Sequence, residues 1–331
     1  MVNNWLSAVA TLLAIGISGC STSSGSSSTG QEPTIVASED GTVEVIVDGE
    51  TLFALAGTGP IARTFAESVG GVGVKEFRRF NERQDPLSVR SVSSEDGVVR
   101  VEYASASRGA TLTANVVSDE LSEFQLEVSG AEADSIAVGV RCDDGGTFHG
   151  FGMQYNSTNQ RGESFELFVN EQGVGRDGSG GINVGNEHTT YFPMPYYIDA
   201  RGFGALCDTE RRVKVDLCDG DADIAWFEVV SGGAIRWRVF HGPTPLDVIR
   251  QLGELVGRPS APPPWAYGMW LASQGGRDVV LDEVDELEAA DVPATALWVQ
   301  DWTGIRPNQE GGFGVQYLWD AKQQCSDEAD V

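Results

Sequence analysis

The stretch Trp265–Trp319 decides the fold: WAYGMWLASQGGRDVVLDEVDELEAADVPATALWVQDWTGIRPNQEGGFGVQYLW. Two apolar runs within it, Tyr267–Ala272 and Ala294–Val299, each end in a polar cluster. Ser273-Gln274-Gly275-Gly276 follows the first, and Gln300-Asp301-Trp302 follows the second. Between them Val279, Val280, Val284, Leu287 and Ala290 recur at three- and four-residue steps among acidic residues. That pattern predicts strand, amphipathic helix, strand. Parallel βαβ units collect ligand groups where strands end, which predicts Gln274 and Gln300 side by side at one rim.

Upstream, Glu32 to Gly257 carries the marks of short strands separated by Gly, Asp and Ser turns. Thr42–Val47, Val98–Tyr103, Ala110–Val117, Glu123–Val128, Ile136–Arg141, Val213–Leu217, Ile224–Val229 and Ile235–Phe240 alternate apolar with polar or are rich in β-branched and aromatic residues. Strands at this spacing predict a large antiparallel β-sandwich of roughly 200 residues or more. Thr244–Leu255 then reads as a helix with Thr244 as its cap, broken by Gly257-Arg258-Pro259. The run Ala261-Pro262-Pro263-Pro264 is a stiff linker, and the domain boundary is placed at 258/259.

Three sandwich segments depart from plain strand patterning. Phe148–Gln154 is a glycine-containing turn, and Phe165–Arg176 sets an acid, an amide and an Arg around two glycines. Tyr191–Tyr197 is aromatic and stiffened by proline. Each reads either as a plain surface loop or as a loop presenting aromatics and an Arg to a sugar.

The balance of 22 basic against 49 acidic side chains gives a net charge of −27. Such a surface repels phosphate backbones and anionic lipid, which argues against a nucleic-acid partner. Cys142, Cys207, Cys218 and Cys325 show no metal-ligand spacing, so no metal is expected. Cys207 and Cys218 flank what reads as a hairpin and are one candidate pair; free or buried thiols are the other reading. His149, His188 and His241 form no triad with a nucleophile and read as structural. Asp282–Asp291 reads as the solvated face of a helix.

The first residues are read as processing signals. Trp5–Ser18 is mostly apolar but too short for a membrane span, and Ile17-Ser18-Gly19-Cys20 precedes the polar tether Ser21–Gly30. The pattern resembles a bacterial lipoprotein signal (residues 1–20, with a tether over 21–33), although Met1–Val9 holds no Lys or Arg. It implies lipidation at Cys20 and a lipid-anchored place in the cell envelope; an ordinary secretory signal, giving a periplasmic or secreted protein, is the alternative.

The stretches FHGFGMQ, RGESFELFVNEQGVGR, TTYFPMPYYI, TPLDVIRQLGELVGRP, PPPWAYGMWLASQGG and ALWVQDWTGIR together resemble glycoside hydrolase family 31, the retaining α-glycosidases. LFVNEQGVGR, SQGG and WVQDWTGIR are most similar to its sulfoquinovosidase-like branch. The resemblance spans about Val140 to Trp319. It implies a mostly β fold: a galactose-mutarotase-like β-supersandwich over 34–258, then the first βαβ unit of a (β/α)8 barrel over 259–331. It implies O-glycosyl hydrolysis without a cofactor, by two aspartates close enough for one to attack the anomeric carbon. Both lie on later barrel strands, so the resemblance assigns neither to a residue of this chain.

Substrate-facing positions that do carry over are Gln274, Gln300 and Trp319, whose amides and ring suit the hydroxyls and faces of a sugar. Asp301 carries over as an orienting carboxylate, and Arg306 reads as a loop ion-pair partner. Where the branch's sulfonate-binding enzymes have an Arg, this chain has Gln316, which favours a neutral α-glucoside-like sugar. The Glu that follows the Gly-x-Gly turn in the family is Met153 here. Only 68 residues run from Pro264 to Val331, against roughly 250 for a barrel of this kind. Two readings follow: an inactive front part of a glycosidase, which the sequence favours, or a short lipoprotein that binds glycans without cutting them.

Overall fold

The structure is a computed structural model that describes residues 33–71, 74–118, 121–130, 132–143, 145–171, 185–273, 277–299, 305–307 and 313–315. It divides into two compact units, residues 1–256 and 257–331.

In the first unit the strands are β1 (Thr34–Ala37), β2 (Val43–Val47), β3 (Glu50–Leu55), β4 (Ile61–Gly70), β5 (Glu76–Pro86) and β6 (Ser88–Glu95). They continue as β7 (Val98–Ala104), β8 (Arg108–Ser118), β9 (Leu121–Gly130), β10 (Ser135–Arg141), β11 (His149–Gly152) and β12 (Ser164–Leu167). The unit closes with β13 (Pro193–Asp199), β14 (Phe203–Cys207), β15 (Val213–Leu217), β16 (Ile224–Val230), β17 (Ala234–His241) and helix α1 (Pro245–Val256). One sheet runs β1-β2-β3-β10-β16-β15-β12, with β4 joining at β10 and β5 pairing β4. The other runs β11-β13-β14-β17-β9-β8-β7-β6. All these pairings are antiparallel, as the alternating patterns predict.

The two sheets face each other across one apolar core. Phe53 of the first sheet meets Phe124, Phe203 and Trp237 of the second at ring separations of 5.4, 6.0 and 5.9 Å. Phe227 meets Trp237 edge-on at 4.7 Å. The other face of the second sheet is also covered. Tyr196, Leu206 and Phe240 point away from the core and pack with Val248 and Leu252 of α1. The helix sits so close that a Cβ on Gly204 would come within 2.6 Å of Val248 Cγ1, so only glycine fits there.

Thr244 caps α1 as the sequence predicts. Its hydroxyl accepts from the Asp247 backbone N–H at 3.3 Å and donates to the Asp247 carboxylate at 2.6 Å. Pro245 opens the helix and Gly257, at φ +87°, follows its end. Thr244→Ala is expected to cost about 1 kcal/mol, read as a lowered urea midpoint with an unchanged slope.

Strands β4 and β5 form a long arm whose existence the alternation pattern does not reveal. Only Ile61–Arg63 of β4 pairs with β10; the rest of the hairpin crosses the outer face of the first sheet. The contact is ionic. Glu228 of β16, buried, receives Arg79 at 2.6 Å and Arg63 at 3.2 Å, and Ser135 donates to it as well. Arg212 bonds Glu67 at 2.6 Å, faces Glu166 at 3.3 Å and lies 3.6 Å over the Phe77 ring. Guanidinium groups suit this role because they pair with carboxylates and stack on rings at once.

Cysteine pairing corrects one sequence reading. The disulfide joins Cys142 to Cys218, not Cys207 to Cys218. Cys142 and Cys218 directly follow β10 and β15, which flank β16, and their Cα atoms lie 6.5 Å apart. Cys207 is a free thiol in the other sheet, fully buried, and that burial pushes its pKa up.

The second unit is the βαβ unit read from the sequence. A 3₁₀ turn at Pro264–Tyr267 leads into β18 (Met269–Ser273), α2 (Arg277–Ala289) and β19 (Ala294–Val299), with β18 and β19 parallel. The first strand starts two residues later than expected, because the proline-initiated turn takes up Tyr267. A short hairpin of β20 (Ile305–Pro307) and β21 (Phe313–Val315) follows, and Arg306 lies in β20.

Candidate functional site

The rim is built from two strand ends. Parallel pairing sets Leu271 against Leu297, Ala272 against Trp298 and Ser273 against Val299. Gln274 and Gln300 are the next residues in sequence after that last pair. Gln274, Gln300, Asp301, Gln316 and Trp319 themselves lie outside the described residues, as does Cys20. Ser273, the last described residue of β18, is buried.

In the sandwich, the three segments singled out by sequence converge. The Met153 N–H donates to Phe192 O at 3.0 Å, and the Tyr155 N–H to Glu187 O at 3.0 Å. Val169 bridges Thr190 in parallel, and the Asn170 N–H donates to Thr190 O at 2.9 Å. Phe148–Gln154 is therefore not a free turn: His149–Gly152 forms β11 against β13, with a register shift between Gly150 and Gly152. The bulge turns on Phe151, which is fully buried at φ 66°. Such a backbone persists in a non-glycine residue only where packing fixes it. Phe151 stacks on Tyr197 and meets Phe165 edge-on at 5.5 Å. Residues 172–184, which hold the Gly-rich part of the second segment and its Arg, lie outside the described residues.

Two of the histidines have polar partners in the sandwich. His188 stacks on Phe165 at 4.3 Å, its Nδ1 lies 2.8 Å from Gln154 Oε1, and its Nε2 is 3.4 Å from Glu163. His149 Nδ1 is 2.8 Å from Thr158 O. Around them Met153, Tyr155, Tyr191 and Phe192 remain exposed. Sequence reasoning did not find the partner of this region: Asn170 accepts from the Lys75 N–H at 2.8 Å and donates to Lys75 O at 3.0 Å, tying the arm tip beside it. Glu166, close by, has its carboxyl pushed up by burial, against the opposing pull of Arg212 and Lys214. Among the described residues, no group of three or more His, Cys, Asp or Glu side chains is arranged to hold a metal ion.

Comparison with known proteins agrees with this architecture. No family model matches the chain. The chain is 26% identical over 231 residues to a sulfoquinovosidase of Escherichia coli, which covers 65% of this chain and 33% of that protein. It is 27% identical over 183 residues to a sulfoquinovosidase of Agrobacterium fabrum, covering 52% of this chain and 26% of that protein. An alpha-xylosidase of Lactiplantibacillus pentosus is 29% identical over 136 residues, covering 40% of this chain and 18% of that protein. The chain thus spans about a third of the E. coli relative and less of the other two. In fold, a family 31 sulfoquinovosidase from E. rectale, solved with an aza-sugar inhibitor, matches with a TM-score of 0.69. It is 18% identical and covers 88% of this chain and 44% of that one. Sandwich, βαβ unit and sequence relatives point one way: this chain is similar to the N-terminal portion of glycoside hydrolase family 31 proteins of the sulfoquinovosidase-like branch.

Proposed function

We propose that this chain carries the sandwich and first barrel unit of a retaining α-glycosidase that acts on neutral α-glucosides. The observation that carries the reading is the 231-residue similarity to a glycosidase, joined to the parallel register that ends both β18 and β19 just before an amide residue. In this reading Gln274 and Gln300 hold sugar hydroxyls, each amide donating and accepting, while Trp319 offers its ring to the sugar face. Asp301 orients its neighbours. Gln316 is neutral, so it offers no charge-assisted partner for a sulfonate and suits an uncharged sugar.

Hydrolysis with retention needs two carboxyl groups about 5–5.5 Å apart, one attacking the anomeric carbon and one protonating the leaving oxygen. The resemblance assigns neither to Met1–Val331, so the isolated 331-residue chain is expected to bind an aryl α-glucoside without cleaving it. Incubation with 4-nitrophenyl α-glucoside tests this. No nitrophenol above the buffer rate, together with binding weakened by Gln300→Ala, supports the reading; release at an enzymatic rate would refute it. We place the chain at the cell envelope through a lipid on Cys20, and the Cys142–Cys218 disulfide suits such an oxidising compartment. A second reading, glycan binding without cleavage, is favoured by the exposed Tyr155, Tyr191 and Phe192.

A further inference from the structure

A depression of about 280 Å³ opens where the tip of the β4–β5 arm meets β12 and the segment 185–189. Its apolar wall is Phe77 and Phe168, set edge to face at 5.0 Å, with Phe168 more than a third exposed. Its polar lining includes Lys75, Glu166, Asn186 and Thr189. These positions are held firmly. Asn170 clamps the Lys75 backbone through both halves of its amide. Thr189 and Asn186 bond each other three times: Asn186 N–H to Thr189 Oγ1 at 2.9 Å, Thr189 Oγ1 to Asn186 Oδ1 at 3.1 Å and Thr189 N–H to Asn186 O at 3.0 Å. Arg212 holds one face of the Phe77 ring and the Glu166 carboxylate.

Ring faces beside carboxylate, amide and hydroxyl groups match a ligand with one apolar and one hydroxylated side. Carboxylates in the wall and a net charge of −27 oppose an anion. We propose that this depression is a binding site for a neutral pyranose sugar, carried wholly by the sandwich, with Phe168 as its stacking platform and Glu166 as an acceptor of sugar hydroxyls. The proposal rests on the reading that the protein handles neutral α-glucosides, and it adds a place on the sandwich where such a chain is held without being cut.

A saturation-transfer NMR titration of the full chain with maltotriose tests it. The expected result is that a chain whose barrel rim is disabled by Gln274→Ala/Gln300→Ala still binds in the millimolar range, and that in this background Phe168→Ala weakens binding at least about fivefold while Phe168→Trp retains it. Circular dichroism confirms that each variant is folded, and Phe168→Trp guards against a loss caused by unfolding alone. Binding unchanged by Phe168→Ala but abolished by the Gln274→Ala/Gln300→Ala pair overturns the proposal and leaves the barrel-rim reading standing. No binding up to about 20 mM maltotriose also overturns it. In that case the barrel-rim reading is judged separately, on the aryl glucoside.

Discussion

Trp237→Ala is expected to remove about 4 kcal/mol of stability, the largest effect of any single truncation in the sandwich core. Trp237 is 2% exposed and holds both sheets together, since its ring meets Phe53 at 5.9 Å and Phe227 at 4.7 Å. Both partners belong to the sheet opposite its own, so truncation opens a void between layers that neither sheet can close alone. The indole N–H has no hydrogen-bond partner among the described residues, so the loss reports packing and not a broken polar contact. Urea unfolding followed by far-ultraviolet circular dichroism measures it. A loss below about 1 kcal/mol would mean that the sheets are not joined through this ring.

Removing the disulfide is expected to cost about 4 kcal/mol. The bond links residues 76 apart in sequence, so its absence releases a large loop in the unfolded chain. The double variant Cys142→Ser/Cys218→Ser, unfolded in urea beside the oxidised parent, gives the difference directly. Reducing agent should lower the parent to the same midpoint and leave the variant where it was. Equal midpoints for oxidised parent and variant would show that Cys142 and Cys218 do not close this loop. Cys207 should not interfere: it is buried in the opposite sheet, and a thiol with a raised pKa supplies little thiolate for exchange.

The parts legible in the sequence are those where one physical signal dominates. Ala294–Val299 is an unbroken apolar run between polar clusters, and it is β19 residue for residue. Val213–Leu217, which alternates strictly, is β15 with the same bounds. The arm was not legible for a matching reason. EFRRFNERQDP in β5 carries charge at most positions, a composition that normally marks solvent, yet Arg79 is neutralised by Glu228, 149 residues further along the chain. No local pattern encodes a partner that distant. The disulfide failed in the same way, because the candidate hairpin pair was near in sequence while Cys142 is near only in space. Of the candidate site, the sequence placed the end of β19 at Val299 and that of β18 one residue early, at Ala272 instead of Ser273, and the residues beyond them fall outside the described structure.

The arm has a consequence for how the protein is held together. β5 pairs only with β4, and beyond Arg63 the hairpin is held by carboxylate–guanidinium pairs, by the Asn170 clamp on Lys75 and by the Phe77 ring against Arg212 and Phe168, instead of by the buried aromatic layer. Added salt screens the more exposed members of that network, such as Glu82, and leaves buried pairs such as Arg79–Glu228 largely intact, while the layer of Phe53, Phe227 and Trp237 does not depend on charge. The hairpin and the sheets thus owe their hold to different forces, and a change that strips a buried carboxylate such as Glu228 of its guanidiniums acts on the first and not on the second. Charge pairing seats the arm on this molecule, and the aromatic interior closes its two sheets.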